Sequence, residues 1–157
     1  MIYFPKASGA VLLGALVLSL GACSYTYDLR AVVKGGQVIF EVASDSKSQP
    51  DCLRQIAVEI DERTAISPAP GDDPTRTGYG TVWYDSVDYD EACANAFPMQ
   101  YGANLKGRKQ TDRGLVSPKP LKVGVVYVVS STTGATGYGG GRFILHANGR
   151  IENLRNQ

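Results

Sequence analysis

The chain has 157 residues, which is room for one ordinary domain. Hydrophobic residues make up 43% and charged residues 20% of the sequence, which excludes a fully disordered chain and a collagen-like repeat. The 16 basic and 15 acidic side chains give a formal net charge of +1, so the cationic surplus of a nucleic-acid-binding protein is missing. With one histidine and three cysteines, we expect neither a metal nor a cofactor.

The amino-terminal segment has the features of a secretory signal. Lys6 supplies a positive charge, and residues 7–20 form an uncharged, mostly apolar stretch. This stretch is short for crossing about 30 Å of hydrocarbon, but it has the length of the apolar region of a signal peptide. The alternative is an uncleaved signal-anchor helix that continues to Tyr25.

The apolar stretch ends in Leu20-Gly21-Ala22-Cys23, which resembles the lipobox of bacterial lipoproteins. The resemblance implies cleavage before Cys23, diacylglycerol on its sulfur, and acylation of the new amino terminus with a fatty acid such as palmitate. Two or three acyl chains hold a protein stably on a membrane, whereas a single chain gives reversible attachment. Ser24 follows in place of an aspartate. By the sorting pattern of Gram-negative lipoproteins, this implies an outer-membrane location facing the periplasm.

Two cysteines remain once Cys23 is lipidated. Cys52 and Cys93 then form an even pair in an oxidising compartment, where a disulfide is the expected state. Closing a loop of about 40 residues would stabilise the fold by roughly 4 kcal/mol by restricting the unfolded chain. The pair lacks the C-x-x-C spacing of a redox-active site, so we predict a structural bridge.

The rest of the chain has the pattern of short strands separated by turn residues. A glycine pair at 35–36 and Asn-Gly at 148–149 each lie between β-rich runs, which predicts a first and a last hairpin. The run at 121–131 is rich in valine, which is typical of a central strand buried on both faces. Pro98 confines its own run to a sheet edge or a bulge. In chain order the predicted strands are 29–34, 37–42, 53–61, 80–87, 94–101, 121–131, 142–147 and 150–154.

These strands predict an all-β domain over residues 28–157, either a single antiparallel β-sandwich or a small β-barrel. Residues 23–27 would form a lipidated tether. The sandwich resembles the immunoglobulin fold in strand count only, because Trp83 is misplaced relative to the cysteines and Glu91 stands where a tyrosine corner needs tyrosine. The final run GGGRFILHANGRIENL resembles small uncharacterised envelope lipoproteins, a resemblance that implies no particular activity.

Charge is unevenly distributed along the chain. Residues 23–100 hold 6 basic and 13 acidic residues, whereas residues 101–157 hold 9 basic and 2 acidic residues. This asymmetry indicates either a polarised surface or complementary segments that pair within one sheet, and we favour the pairing.

An acidic cluster lies at Asp85, Asp88, Asp90 and Glu91. Such oxygens can bind calcium, but the EF-hand spacing is missing. Two of the carboxylates could instead act as acid and base in glycoside cleavage. We favour a solvated acidic loop.

The glycine-rich segment 134–141 and the single histidine are two further candidates for chemistry. Gly140 stands where a P-loop needs lysine, and Arg142 stands where the dinucleotide fingerprint needs its third glycine. We therefore predict a flexible hairpin loop. His146 is predicted to lie on the surface, because it stands two residues before the predicted Asn148-Gly149 turn. The chain after the signal contains no G-x-S-x-G motif that would indicate a hydrolase triad with His146.

Two polar loops, 102–114 and 132–141, are candidates for recognition. The second presents Tyr138 among glycines, and the first carries four cations: Lys106, Arg108, Lys109 and Arg113. Cations with an accessible aromatic ring suit an anionic or glycan-bearing partner, which singles out Arg108, Lys109 and Tyr138 as candidate binding residues. The alternative is a solubilising basic loop that faces the acidic segment 85–91.

Taken together, these features predict a lipid-anchored envelope protein with a non-enzymatic binding or structural role. Its partners would be the membrane, through the lipid on Cys23, and another envelope protein or a glycan, but not nucleic acid. The alternative is a small envelope hydrolase that uses carboxylates around residues 85–91.

Overall fold

A computed structural model describes residues 24–61, 80–110 and 114–155 of the chain. The predicted signal segment, Cys23 and Arg113 lie outside these residues. The described residues form eight strands and no helix, which confirms the predicted all-β class. The strands are β1 (Tyr25–Lys34), β2 (Gln37–Val42), β3 (Gln55–Ile60), β4 (Thr81–Ser86), β5 (Met99–Gln100), β6 (Val126–Thr132), β7 (Gly137–Leu145) and β8 (Ile151–Leu154).

The strands form one mixed sheet in the order β4-β3-β6-β7-β1-β2-β5, with β8 also paired to β7. The sheet curls into a half-barrel, which is consistent with the barrel alternative. Neighbouring strands are antiparallel with one exception, a parallel pair between Tyr25–Asp28 of β1 and Gly137–Gly140 of β7. This pair departs from the fully antiparallel arrangement expected from the sequence. Residues 25–27, which the sequence predicts to be part of the tether, belong to the sheet through this pairing.

Strand β1 changes partners along its length, and this change curls the sheet. Its first residues pair with β7, whereas Leu29–Lys34 pair with β2. Beyond the residues of β7 that pair with β1, strand β8 pairs with Arg142–Leu145 of β7. The side chain of Asn153 on β8 joins the two strands, because its Oδ1 accepts from the Ala31 N–H at 2.7 Å and its Nδ2 donates to the Ala31 carbonyl at 2.8 Å. The Asn153 amide thus makes the two hydrogen bonds with Ala31 that the main chain of a neighbouring strand would otherwise make.

The core lies on the inner face of the curled sheet and is centred on Phe40, which is fully buried. The Phe40 ring contacts Trp83, Tyr101 and Phe143, with ring centroids 6.4, 6.4 and 5.6 Å away. Burial raises the pKa of Tyr101 to about 12, and its hydroxyl donates to the Lys119 carbonyl at 2.6 Å. The aromatic centre therefore also holds the irregular segment that precedes β6.

Two sequence predictions are refined by the packing. Strand β6 is central, between β3 and β7, but only its inner face is buried and its outer face is half-buried. The loop predicted at 102–114 contributes to the core through Leu105, which is only 2% exposed. The sequence of that loop contains no apolar run, so this contact with the core was not predicted.

The glycine-rich segment is the main correction to the sequence analysis, because β7 begins at Gly137 and the predicted loop is limited to residues 133–136. Gly137, Gly139 and Gly141 alternate along the inner face of β7 and are buried. A Cβ atom on Gly137 would overlap the Tyr25 ring, one on Gly139 the Tyr27 ring, and one on Gly141 the backbone of Leu29. The glycines are therefore strand residues that make room for β1. Their propensity for turns is overridden by this packing.

We expect Gly139→Ala to destabilise the protein by about 3 kcal/mol, at the upper end of overpacking costs. The added methyl group would strike the Tyr27 ring and the Ser131 hydroxyl, which are joined by a buried hydrogen bond of 2.8 Å. Gly140→Ala is the matched control, because no atom lies within 4 Å of a Cβ at that position, and it should change stability by less than about 0.5 kcal/mol. Urea unfolding of both variants makes the comparison, and equal midpoints would contradict the packing.

Asn153→Ala should cost about 1–3 kcal/mol, because it leaves the main-chain N–H and C=O of Ala31 without this partner in a residue that is 1% exposed. Glu152→Ala serves as the control, since the Glu152 side chain is exposed and its pair with His146 lies at the surface. The two variants are compared by thermal unfolding. If Glu152→Ala lowers the midpoint as much as Asn153→Ala does, the amide does not support the sheet.

Candidate functional site

The acidic segment 85–91 and the basic loop 106–109 lie side by side along the outer edge of β4. The Asp88 N–H donates to the Arg108 carbonyl at 2.8 Å, and Val87 and Lys109 form an antiparallel bridge. Further along β4, Tyr84 pairs with Val116 in the same way. The arrangement confirms the alternative in which the basic loop faces the acidic segment.

Asp85 is the buried centre of this polar cluster, with 4% of its surface exposed. Both of its carboxylate oxygens lie 2.7 Å from the Lys109 Nζ, and Oδ2 also accepts from the Leu105 N–H at 2.8 Å. The same ammonium donates to the Leu105 carbonyl at 2.8 Å. The ion pair therefore has additional hydrogen bonds at both ends, as a buried pair requires. Lys109 is a structural residue of the loop in this arrangement.

Arg108, one residue earlier, faces solvent. Its Nε donates to the Asp88 carboxylate at 2.6 Å, and a terminal nitrogen lies 3.5 Å from Asp90. The hydrogen bond and the charge of Asp88 raise the pKa of this guanidinium. Its main-chain N–H also donates to the Glu91 carboxylate at 3.3 Å. The Arg108 charge is thus partly balanced by carboxylates while its side chain remains 61% exposed.

A third cation, Arg54, holds the acidic segment from the other side. Its two terminal nitrogens donate to the main-chain carbonyls of Asp88 and Glu91, each at 2.6 Å. Its guanidinium also lies over the Tyr89 ring, 5.9 Å from the centroid. Sequence reasoning missed this residue. The one available signal was its position two residues after Cys52.

The predicted disulfide between Cys52 and Cys93 is confirmed, with Cα atoms 5.8 Å apart. It joins the chain before β3 to the chain that follows the acidic segment. The Leu53 N–H donates to the Asn95 carbonyl at 2.8 Å beside it. The bridge and Arg54 therefore fasten the same stretch of chain onto the start of β3.

A second buried ion pair lies between Asp61, at the end of β3, and Arg142 on β7. Asp61 is 5% exposed, and the Arg142 Nε donates to its carboxylate at 2.9 Å. Three ion pairs, Asp61–Arg142, Asp85–Lys109 and Asp88–Arg108, thus each join an acidic residue of the part 23–100 to a basic residue of the part 101–157. This supports the complementary pairing that the charge distribution predicted.

The structure does not gather the three candidate binding residues into one surface. Arg108 and Lys109 lie beside β4, whereas Tyr138 lies on β7, with β3 and β6 between them in the sheet. Tyr138 is 47% exposed on the outer face, and its hydroxyl donates to the Ala135 carbonyl at 2.9 Å. It is a strand residue and not a loop residue.

His146 lies on the surface, as predicted, at the β7–β8 turn. Its Nε2 is 2.9 Å from the Glu152 carboxylate, in a shallow open depression that Asn148, Arg150 and Ile151 complete. Among residues 24–61, 80–110 and 114–155, no three histidine, cysteine or acidic side chains converge in a way that could hold a metal ion. The carboxylates of Asp85, Asp88 and Asp90 instead form ion pairs with the Lys109 and Arg108 side chains.

No protein-family model, curated protein or solved structure matches this chain. The residues that the structure describes contain no helix long and apolar enough to cross a membrane.

We expect Lys109→Met to destabilise the protein by about 3 kcal/mol, because it would leave the Asp85 carboxylate charged and unpaired in a buried position. Arg108→Met is the adjacent control. It removes an exposed ion pair, so the unfolding midpoint should hardly change. Chemical unfolding of the two variants decides between a structural and a surface role for Lys109. A stable Lys109→Met protein would contradict the structural role.

Proposed function

We propose that this chain is a lipid-anchored protein of the bacterial cell envelope, with a non-enzymatic binding or structural role. The lipid on Cys23 would hold it at the outer membrane, facing the periplasm. Its further partner would be another envelope protein or a glycan.

One structural observation carries the proposal: the folded domain begins directly after the lipobox. Strand β1 starts at Tyr25, whose N–H donates to the Thr136 carbonyl at 2.9 Å. Cys23 precedes Tyr25 by two residues, so their Cα atoms are at most about 7 Å apart. A cleaved and lipidated Cys23 would therefore connect the acyl chains to the sheet with almost no linker. In an uncleaved signal anchor, by contrast, the helix would have to end just before the first strand.

The disulfide supports the same compartment. Bridges such as Cys52–Cys93 persist in secreted and periplasmic proteins, whereas cytosolic thiols are kept reduced. Export across the inner membrane is what the signal segment would provide.

The hydrolase alternative has less support. A glycosidase needs two carboxyl groups that reach the substrate from either side of the scissile bond. Asp85 is buried against Lys109, and Asp88 accepts from Arg108. Both carboxylates are thus already engaged in contacts within the fold.

The anchor is tested by mass spectrometry of the protein extracted from a Gram-negative expression host. We expect a mature chain that begins at Cys23 and carries diacylglycerol and an amide-linked acyl group. Cys23→Ala should remain as the unprocessed, unlipidated precursor. Ser24→Ala, which keeps the lipobox, should be lipidated like the parent. An unmodified amino terminus at any other residue would refute the anchor.

A further inference from the structure

The start of β1 and the β6–β7 turn form one compact surface, which is called here the anchor-end surface and comprises Tyr25, residues 133–136 and Tyr138. The Tyr25 N–H donates to the Thr136 carbonyl at 2.9 Å, and its hydroxyl shares a hydrogen bond of 2.8 Å with the Thr133 hydroxyl. The Tyr138 hydroxyl donates to the Ala135 carbonyl at 2.9 Å. The turn and both tyrosines are thus fixed to one another.

We propose that the anchor-end surface lies against the lipid headgroups and orients the domain on the membrane. The inference rests on the proposed lipidation of Cys23. A lipidated Cys23 has to sit at the level of the headgroups, because its acyl chains enter the hydrocarbon. The Tyr25 Cα lies within about 7 Å of it by chain length alone. Tyr25 is hydrogen-bonded to the turn, so the turn is held at the same level.

The chemistry of the anchor-end surface suits the interfacial layer of a membrane. Residues 129–141 and 24–27 contain no charged side chain. They offer threonine hydroxyls and tyrosine rings, and tyrosine is enriched where an apolar zone meets a wet one. Tyr138 keeps its ring 47% exposed while its hydroxyl is satisfied by Ala135. No contact within the core accounts for this exposed ring.

The opposite end of the sheet lies away from the proposed anchor. Charged side chains also occur at the anchor end, on β3 and β4, where the Arg54 N–H donates to the Thr132 carbonyl at 2.9 Å. Strands β1 and β7 run parallel, so both start at the anchor-end surface and both end about 30 Å away. Charged side chains lie at that far end, including Lys34, Arg150 and Glu152. The domain would therefore stand with the start of β1 and the β6–β7 turn on the lipid, and with the far ends of β1 and β7 in the periplasm.

The two turns that flank β7 offer a matched test, because each contains an exposed alanine, Ala135 and Ala147. Ala135→Cys and Ala147→Cys are made in the full-length lipoprotein, purified in detergent and labelled with a nitrobenzoxadiazole dye. The native cysteines are then lipidated or bridged, so the new thiol is the one that reacts. Each labelled protein is reconstituted into phosphatidylcholine–phosphatidylglycerol vesicles that carry a nitroxide on the lipid headgroup.

We expect the nitroxide to quench the dye at position 135 at least threefold more than the dye at position 147. Adding Tyr138→Ser to Ala135→Cys should reduce that quenching, because one of the two interfacial rings is removed. If both proteins float with the vesicles but the two dyes are quenched equally, the orientation is wrong while the anchor stands. If neither protein floats and neither carries lipid by mass, both the anchor and this inference are overturned.

Discussion

The fit of tyrosine rings on β1 into the glycine positions of β7 is the constraint on which the rest of the fold depends. Parallel pairing of the first strand with the seventh requires the inner face of β7 to be nearly empty where Tyr25 and Tyr27 lie. The glycines provide that space, and the rings fill the core volume that the glycines leave. Because β1 then continues to pair with β2, one strand joins the two parts of the curled sheet. The amino-terminal end of the domain is thereby fixed near the middle of the sheet and not at a free edge.

The charged side chains mainly stabilise the same sheet. Strand β4 is an edge strand, and an uncovered edge invites pairing with other chains. The segments that contain Lys109 and Val116 bridge to that edge, and the Lys109–Asp85 pair holds the first of them in place. Arg54 and the disulfide fasten the acidic segment from the other side. Asp85 and Lys109, two of the candidate residues of the sequence analysis, are therefore used to close the fold.

Local signals predicted those features that depend on neighbouring residues. The first hairpin was predicted with β2 at 37–42, the range it occupies, and the cysteine count predicted the bridge. The predicted strand begins only at residue 142 because glycine favours turns. The groups that Gly137, Gly139 and Gly141 accommodate come from β1, about 112 residues earlier in the chain. The contact of Asn153 with Ala31 spans 122 residues and likewise has no local pattern. The ion pair of Lys109, one of the candidate binding residues, with the buried Asp85 carboxylate also has no local pattern in the sequence.

The distribution of polar groups bears on what kind of molecule this is. A catalytic site needs ionisable groups that are partly desolvated yet open to a substrate. In the described part of the chain, the buried ionised groups Asp85 and Asp61 are instead matched by Lys109 and Arg142. The exposed features include the uncharged turn 133–136 with Tyr138, beside the first strand, and the charged loops along β4. These features support the proposed role of an anchored binding or structural protein, which has to hold a surface at a set place and orientation.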